Sequence, residues 1–223
     1  MKQIVAGLHY VTGLLVGRVY VIEDPDGLTV IDASMLSAPA KIVKQIEGLG
    51  RKARDVKRIL LTHAHPDHAG GLPGLQQLTG AQVIASKVEQ PVVEGKQSIP
   101  RRPKGFSPPN TTLKGTHVDQ VVEDGDRIDA LGGLQVLFTP GHSPGHIAFW
   151  QSDKRILFCG DVIFHAPTPS LRLPFAMLTV DMDENKRSLK RLAELDAEIV
   201  CFGHGDPLTQ NAAQRIRDFA RSV

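Results

Sequence analysis

The 223-residue sequence has little cysteine and no long apolar run. Its two cysteines, Cys159 and Cys201, are too few for a disulfide framework, and each lies near the end of an apolar run, so we expect buried, reduced thiols. No apolar stretch approaches the roughly 20 residues of a membrane-spanning helix, and the N-terminus lacks the apolar core and cleavage pattern of a signal peptide. These absences predict a cytoplasmic protein with no membrane partner.

The sequence also carries almost no excess charge. Lysine and arginine number 26 against 24 aspartates and glutamates, so the formal net charge of +2 gives no support to a nucleic-acid partner. Basic residues cluster at 51–58, 101–104 and 186–191, where a solvated face is the default interpretation. Because no low-complexity linker and no internal repeat interrupts the chain, we expect one domain over residues 1–223. A homodimer is left open.

Strand and helix patterns alternate along the chain. Runs at residues 19–22 and 28–31 flank a turn rich in Asp and Gly and predict a hairpin. Further strands are expected at 56–61, 82–85, 127–130, 134–139, 146–151, 155–159 and 198–202. Helices are expected after Ser37 and after Asp183, each acting as a cap, and over residues 210–221. The pattern alone predicts a mixed α and β fold.

The loop after the strand-like run at 56–61 concentrates the residues that carry chemistry. It reads Thr62-His63-Ala64-His65-Pro66-Asp67-His68. His63 and His65 are two residues apart, so in extended backbone their side chains leave the same side and can hold one ion. Asp67 and His68 follow the turn at Pro66 and can face a second ion. Imidazole nitrogens and carboxylate oxygens are ligands that zinc and its neighbours bind.

This run resembles the His-x-His-x-Asp-His signature of the metallo-β-lactamase-fold hydrolases. Four further parts of that family's pattern are present in order: Asp32 after Leu28-Thr29-Val30-Ile31, His142 in Thr139-Pro140-Gly141-His142, Asp161 after Phe158-Cys159-Gly160, and His204 in Cys201-Phe202-Gly203-His204-Gly205. The resemblance covers the chain from about Ile4 to at least Gly205. It implies an α/β fold of four layers, an αββα sandwich, with the metal site at one edge.

The resemblance also implies a binuclear metal site. The residues that it assigns are His63, His65 and His142 for the first ion, Asp67, His68 and His204 for the second, and Asp161 as the bridge between them. It gives Asp32 the role of orienting the ligands or the bound water rather than binding metal. The default cofactor is two Zn²⁺ per chain, and a carboxylate-bridged site also accepts iron or manganese.

The expected activity is metal-dependent hydrolysis of a small-molecule substrate. Two cations a few ångströms apart can share one hydroxide, and each lowers the pKa of bound water, so that a nucleophile exists at neutral pH. Asp67 would hold or shuttle the proton of the attacking water and is the expected catalytic residue. Because a metal-activated water supplies the nucleophile, no Ser/His/Asp arrangement is needed.

The substrate is not fixed by the fold, because the family acts on β-lactams, thioesters, lactones and phosphodiesters. Asp161 stands where metallo-β-lactamases usually carry Cys or Ser, so β-lactamase activity is expected to be promiscuous at most. A carboxylic ester, thioester or lactone is the preferred substrate. The alternatives are a phosphodiester, contacted by Arg101, Arg102 and Lys104, and persulfide oxidation at a single iron. A non-catalytic binding protein is disfavoured because no ligand of the pattern is missing.

Two loops are candidates for substrate contact. Residues 95–115 contain four prolines and form either a lid or a merely mobile insertion, with Phe106 as the only aromatic side chain. Residues 162–179 include the apolar run 171–177, which is expected to form an acyl pocket or to pack on the core or a second subunit.

Three of the remaining histidines and one phenylalanine complete the set of expectations. Phe164 stands where quorum-quenching lactonases tend to carry tyrosine, and His165, four residues after Asp161, is a further candidate to face substrate. His9 and His117 are expected on the solvent side.

Overall fold

The chain divides into two compact units in a computed structural model that describes residues 1–100, 111–165 and 170–223. The first unit comprises Met1–Ile99, Thr112–Val122 and Ala130–Gly132. The second comprises mainly Gly133–Val223, together with Glu123–Asp129. A single domain over the whole chain stays a prediction, and each unit is described separately below.

The first unit is built on a seven-stranded mixed sheet whose strands lie in chain order. The strands are β1 (Lys2–Val5), β2 (Leu8–Tyr10), β3 (Tyr20–Asp24), β4 (Gly27–Ile31), β5 (Val56–Leu60), β6 (Gln82–Ser86) and β7 (Gln120–Val122). The strands β1 to β4 pair antiparallel, and β4 to β7 pair parallel. All five residues of β4 are buried, as expected for a strand covered on both faces.

Helices cross between the parallel strands of this sheet. They are α1 (Pro39–Glu47), α2 (Pro66–Ala69), α3 (Leu72–Thr79) and α4 (Gln90–Val93), with a 3₁₀ turn at Ala53–Asp55. The apolar faces of α1 and α3 join one core with the sheet, to which Ile42 and Leu75 contribute fully buried side chains. The loop between β5 and α2 therefore starts from a rigid strand end and finishes at a helix anchored in that core.

The second unit holds a five-stranded sheet in the order β14-β11-β10-β9-β8 and a two-stranded ribbon. Its strands are β8 (Arg127–Ile128), β9 (Leu134–Phe138), β10 (Ile147–Gln151), β11 (Ile156–Gly160), β12 (Phe164–His165), β13 (Leu171–Arg172) and β14 (Ile199–Phe202). Two helices, α5 (Met182–Ala193) and α6 (Ala212–Ser222), pack on it through Leu189, Leu192 and Ile216. A 3₁₀ turn spans Ala176–Leu178.

Most sequence-based expectations for these elements are confirmed. The predicted hairpin is β3 and β4, whose register pairs Asp24 with Gly27 across the turn. The thiols Cys159 and Cys201 are both buried, and burial raises the pKa of Cys159 well above its ordinary value. In the described part of the chain, no helix has the length and apolar character needed to span a membrane.

Three local expectations are wrong. The cap of α5 is Asp181, whose Oδ1 accepts from the Glu184 N–H, and not Asp183, which lies inside the helix. The residue before α1 is Ala38, and no side chain caps that helix. His9 is buried and its Nε2 lies 2.8 Å from Glu23 Oε1 of the neighbouring strand β3, a contact with a distant part of the sequence that its expected exposure did not foresee.

Candidate metal centre

Four of the predicted ligands lie in the first unit, in the loop after β5 and the first turn of α2. The side chains of His63, His65 and His68 are buried, whereas that of Asp67 is 29% exposed. Ligand atoms of His63 lie within 4.8 Å of those of both His65 and His68. The distance from His68 Nε2 to Asp67 Oδ2 is 4.0 Å. The loop thus brings three imidazoles and a carboxylate close together, and their assignment to two ions stays a prediction.

Asp32 holds two of these histidines in one tautomer. Its Oδ2 lies 2.8 Å from His68 Nδ1 and accepts from Thr62 Oγ1 at 2.9 Å. The Thr62 hydroxyl donates its only proton to Asp32. Its oxygen therefore accepts a hydrogen bond from His63 Nδ1, 3.0 Å away. Both rings therefore carry their proton on Nδ1 and direct the Nε2 lone pair toward the loop interior. Asp32 itself has φ of 62°, a left-handed conformation that aspartate tolerates better than most residues.

A buried glutamate that sequence reasoning missed supports the same loop. Glu89 is 3% exposed, and its Oε2 accepts a 3.0 Å hydrogen bond from the backbone N–H of Ala64. Ala64 stands between His63 and His65, so this contact fixes the backbone from which both imidazoles extend. No local pattern could have identified Glu89, because the contact spans 25 residues of sequence.

The second unit contributes the other three predicted ligands, each in a loop directly after a strand. His142 follows β9, Asp161 follows β11 and His204 follows β14. One oxygen of Asp161, Oδ2, lies 3.2 Å from His142 Nε2 and 3.3 Å from His204 Nε2. Asp161 and His142 are each 2% exposed. A single carboxylate oxygen is therefore shared between two imidazole nitrogens.

Hydrogen bonds in the second unit orient these ligands. Thr179 Oγ1 donates to the Phe175 carbonyl and so accepts from His142 Nδ1 at 3.3 Å, which leaves the lone pair of that ring on Nε2. The backbone N–H of Asp161 donates to His146 Nε2 at 3.0 Å, and His146 Nδ1 lies 2.8 Å from Thr139 Oγ1. His146 thus positions the backbone of Asp161 from the neighbouring strand.

Gly141 makes room for the approach to His142. Its φ is +129°, and a Cβ there would lie 2.2 Å from the backbone nitrogen of Asn185 in α5. The chain before His142 therefore packs directly on helix backbone, which only glycine permits. Asn185 Nδ2 in turn donates to the Val162 carbonyl, one residue past Asp161.

Two of the predicted substrate contacts, Phe164 and His165, lie in different environments. Phe164 packs against His204 with 4.5 Å between ring centroids. His165 lies on the opposite side of its strand, where Nδ1 donates to the Asp206 carbonyl at 2.7 Å and the ring contacts Phe202. Phe106 lies outside the described residues, as do Arg101, Arg102 and Lys104. The roles of these side chains toward substrate stay predictions.

The apolar run at 171–177 divides between core and surface. Leu171 and Leu173 pack partly buried against the core of the second unit, whereas Phe175 and Met177 are 50% and 52% exposed. Phe175 and Met177 are therefore the two large apolar side chains of this run that remain exposed.

The donor atoms fit divalent cations. His63, His68 and His142 each give their Nδ1 proton to an oxygen acceptor, the arrangement that metal-ligating histidines almost always show. The 3.2 Å separation of Asp161 Oδ2 and His142 Nε2 is close to the roughly 3.4 Å between two ligands of one tetrahedral zinc with bonds near 2.1 Å. Imidazole with carboxylate suits zinc, iron and manganese alike.

Comparison with known proteins places the chain among metal-dependent hydrolases. The model of the family described as "Metallo-beta-lactamase superfamily" matches residues 12–204. The probable metallo-hydrolase YflN of Bacillus subtilis (strain 168) is 30% identical over 227 residues, which cover 91% of this chain and 85% of that protein. A hydroxyacylglutathione hydrolase of Pseudomonas paraeruginosa is 36% identical over 141 residues, 62% of this chain but only 43% of that protein.

Solved structures agree on the fold. A metallo-beta-lactamase family protein from Thermus thermophilus matches with a TM-score of 0.75 at 23% identity, over 99% of this chain and 80% of that one. BJP-1, a subclass B3 metallo-beta-lactamase of Bradyrhizobium japonicum, matches with a TM-score of 0.74 at 27% identity, over 99% and 89%. The predicted α/β sandwich class is confirmed.

Proposed function

The chain belongs to the metallo-beta-lactamase superfamily of metal-dependent hydrolases, and we propose that it uses two cations to cleave a carboxylic ester, thioester or lactone. The observation that carries this proposal is the position of Asp161. Its Oδ2 is within 3.3 Å of both His142 Nε2 and His204 Nε2. A carboxylate oxygen shared in this way is suited to bridge two ions, one held by each imidazole.

The proposed ligand sets combine the predicted residues of both units. They are His63, His65 and His142 for one ion, Asp67, His68 and His204 for the other, and Asp161 for both. Zinc is the proposed metal, because five imidazoles and two carboxylates form a donor set that it favours. Family membership supports this combination, as do the shared Nδ1 protonation of His63, His68 and His142 and the hydrogen bonds that fix it.

The chemistry divides between the ions and the protein. Bound cations would lower the pKa of water and polarise the carbonyl oxygen of the substrate. Asp67 is the least buried of the proposed acidic ligands, with a carboxylate 29% exposed, so it can take up and release a proton at the mouth of the site. Asp32, Thr62 and Glu89 hold the histidine loop in place, so that the donor atoms need not reorganise during turnover.

Two features narrow the substrate class. Asp161 stands where dedicated β-lactamases usually carry Cys or Ser, and a carboxylate there resembles glyoxalase II-like, lactonase-like and nuclease-like members, so it argues against a β-lactam but not against a phosphodiester. One similar protein is named a hydroxyacylglutathione hydrolase, a name that describes release of an acyl group from glutathione. The likeness covers 62% of this chain, and it supports an acyl substrate rather than glutathione recognition.

Initial rates on matched substrates test the proposal. Esters, thioesters and lactones form one panel and a chromogenic phosphodiester the other, each with and without a chelator. We expect chelator-sensitive turnover of the carbonyl panel at least about 100-fold above the phosphodiester, and two metal ions per chain by elemental analysis. His65→Ala should abolish this activity, and His117→Ala, at a side chain 76% exposed, should not change it.

Turnover confined to the phosphodiester would instead establish the phosphodiesterase alternative. One iron per chain with oxygen-dependent loss of a persulfide would establish the oxygenase alternative. Full activity of metal-checked His65→Ala protein would refute the assignment of the site itself.

A further inference from the structure

The two-stranded ribbon of the second unit has two chemically different faces. Its register pairs Phe164 with Arg172 and His165 with Leu171. Residues directly opposite each other in an antiparallel pair have Cα atoms about 4.5–5.5 Å apart and project from the same face. Phe164 and Arg172 therefore share one face of the ribbon, and His165 and Leu171 share the other.

The face of His165 and Leu171 is structural. Leu171 packs against the core of the second unit, and His165 Nδ1 donates to the Asp206 carbonyl. The backbone N–H of His165 also donates to the His204 carbonyl at 3.0 Å. These contacts attach the ribbon to the turn that carries His204, so the ribbon and this proposed ligand form one rigid piece.

The face of Phe164 and Arg172 leads to two proposed metal ligands of the same unit, His204 and His142. The ring of Phe164 lies 4.5 Å from that of His204 and 6.4 Å from that of His142. Phe175 meets Phe164 edge-on at 6.3 Å, and the guanidinium carbon of Arg172 lies 5.1 Å from the centre of the Phe175 ring. A series of contacts thus runs from an exposed arginine through two aromatic rings to a proposed metal ligand.

Arg172 differs in its partners from five other arginines of this unit. The guanidinium groups at positions 155, 187, 191, 217 and 221 each contact a carboxylate. No carboxylate of the described residues forms an ion pair with Arg172, whose guanidinium lies over the Phe175 ring. Stacking on an aromatic face restrains the guanidinium plane and leaves its N–H groups directed outward at the edges.

We infer that Arg172 is an anion-recognising residue at the rim of the metal centre, and that the enzyme selects substrates whose acyl chain carries an oxyanion at the end remote from the bond to be cleaved. This inference rests on the proposed function for its location, because the oxyanion is assigned to the substrate of that same site. The fork of N–H donors matches a carboxylate or a phosphate, to which it can donate two parallel hydrogen bonds. A carboxylate is the simplest such group on an acyl substrate.

A pair of esters that differ in one group tests this selection. One is 4-nitrophenyl butyrate and the other is mono-4-nitrophenyl glutarate, which places a carboxylate at the far end of the acyl chain. We expect wild-type protein to prefer the charged ester, measured as the ratio of the two kcat/KM values. A hydrogen bond to a charged group accounts for a factor of roughly 10 to 100, so Arg172→Gln should lower this ratio by about that factor.

Matched variants separate charge from geometry and from general effects. Arg172→Lys keeps the charge without the planar fork, so it should restore only part of the preference. Arg187→Gln removes another exposed arginine, in α5, and should leave both esters unaffected. A preference that survives in Arg172→Gln, or that falls equally in Arg187→Gln, overturns the inference.

Binding of unreactive acids provides the second readout and does not depend on turnover. Calorimetry compares butyrate, glutarate and 3-phosphonopropionate on metal-loaded wild-type and Arg172→Gln protein. Glutarate should bind wild type more tightly than butyrate does and lose that advantage in the variant, and tighter binding of the phosphonate would identify a phosphate as the preferred oxyanion. If Arg172→Gln loses the tighter binding of glutarate and the wild-type protein hydrolyses no ester, the proposed function is refuted and the role of Arg172 is retained. Equal glutarate affinity in both proteins, or none in either, overturns the role of Arg172.

Discussion

The hydrogen bond from His68 to Asp32 gives the sharpest test of how this fold prepares a metal ligand. Asp32 is 2% exposed, and its two oxygens accept from the N–H and hydroxyl of Thr62 and from His68 Nδ1. Asp32→Asn keeps the size of the side chain and one acceptor oxygen for Thr62. It replaces the oxygen that faces His68 Nδ1 by an NH₂ group. An NH₂ group donates hydrogen bonds, so it requires a lone pair on His68 Nδ1 instead of a proton.

The substitution should therefore reverse the tautomer of His68. With Nδ1 now accepting from the asparagine, the ring proton moves to Nε2, the atom 4.0 Å from Asp67 Oδ2 that is proposed to bind the second ion. Loss of such an orienting partner typically weakens metal affinity by about 10- to 100-fold. We expect that loss for the second ion only, because His63 is held through Thr62, which retains an acceptor in the variant.

Asparagine is preferred to alanine in this test because it is expected to lower the free energy of unfolding by less. Asp32→Ala leaves two buried donors of Thr62 and one of His68 without an acceptor, and each costs about 1–3 kcal/mol. A total of about 3–9 kcal/mol is comparable to the whole stability of an ordinary domain, about 5–15 kcal/mol, so a loss of metal in that variant would be ambiguous. Asp32→Asn removes one acceptor and should cost about 1–3 kcal/mol.

The assay is a Zn²⁺ titration in competition with a chromophoric chelator, combined with urea unfolding of chelator-treated protein. The matched control is Asp153→Asn, at an exposed position of the turn between β10 and β11. Wild-type affinity for both ions in a folded Asp32→Asn protein would refute the tautomer argument.

Two further predictions concern a close approach and a pH dependence. Gly141→Ala should destabilise the protein by about 1–3 kcal/mol and weaken metal binding through His142. The reason is that the new Cβ would lie 2.2 Å from Asn185 N and that the residue has a φ of +129°. Unchanged unfolding and metal titration curves would contradict this prediction. The hydrogen bond from the Lys96 ammonium holds the pKa of Glu94 at about 2, below its ordinary 4.5. Because the folded pKa is the lower one, this stabilisation is present above pH 4.5 and is lost as pH falls toward 2. In Glu94→Gln the unfolding free energy in urea, measured with chelator, should therefore change less between pH 5 and pH 3 than in wild type, and an equal change would exclude this carboxylate as a contributor.

The histidine loop was predictable because its information is local. His63, His65, Asp67 and His68 lie within six positions, and the preceding apolar run required a strand that ends where the loop begins. The strand and the turn at Pro66 follow from short-range backbone preferences, which depend on the residue types at these positions alone. Strand positions were predictable for the same reason, since burial imposes an apolar pattern on each segment separately.

The supporting contacts were not predictable in this way. Glu89 reaches Ala64 across 25 residues, and Asn185 packs on Gly141 across 44 positions of the chain. Such pairs depend on which helix packs on which loop, and single-sequence patterns carry no record of it. The error at His9 has the same origin, because its partner Glu23 is supplied by the neighbouring strand β3.

The sequence by itself determined the kind of chemistry, since the types of ligand and their order along the chain indicate a metal-dependent hydrolase. Tertiary structure decided the tautomers of the ligands and the neighbours of the site. Only the paired register of β12 and β13 places Arg172 beside Phe164 and leaves His165 on the structural face. A one-residue slip would exchange these roles, because successive side chains of a strand point to opposite faces, and no pattern in two strands of two residues each could fix that register.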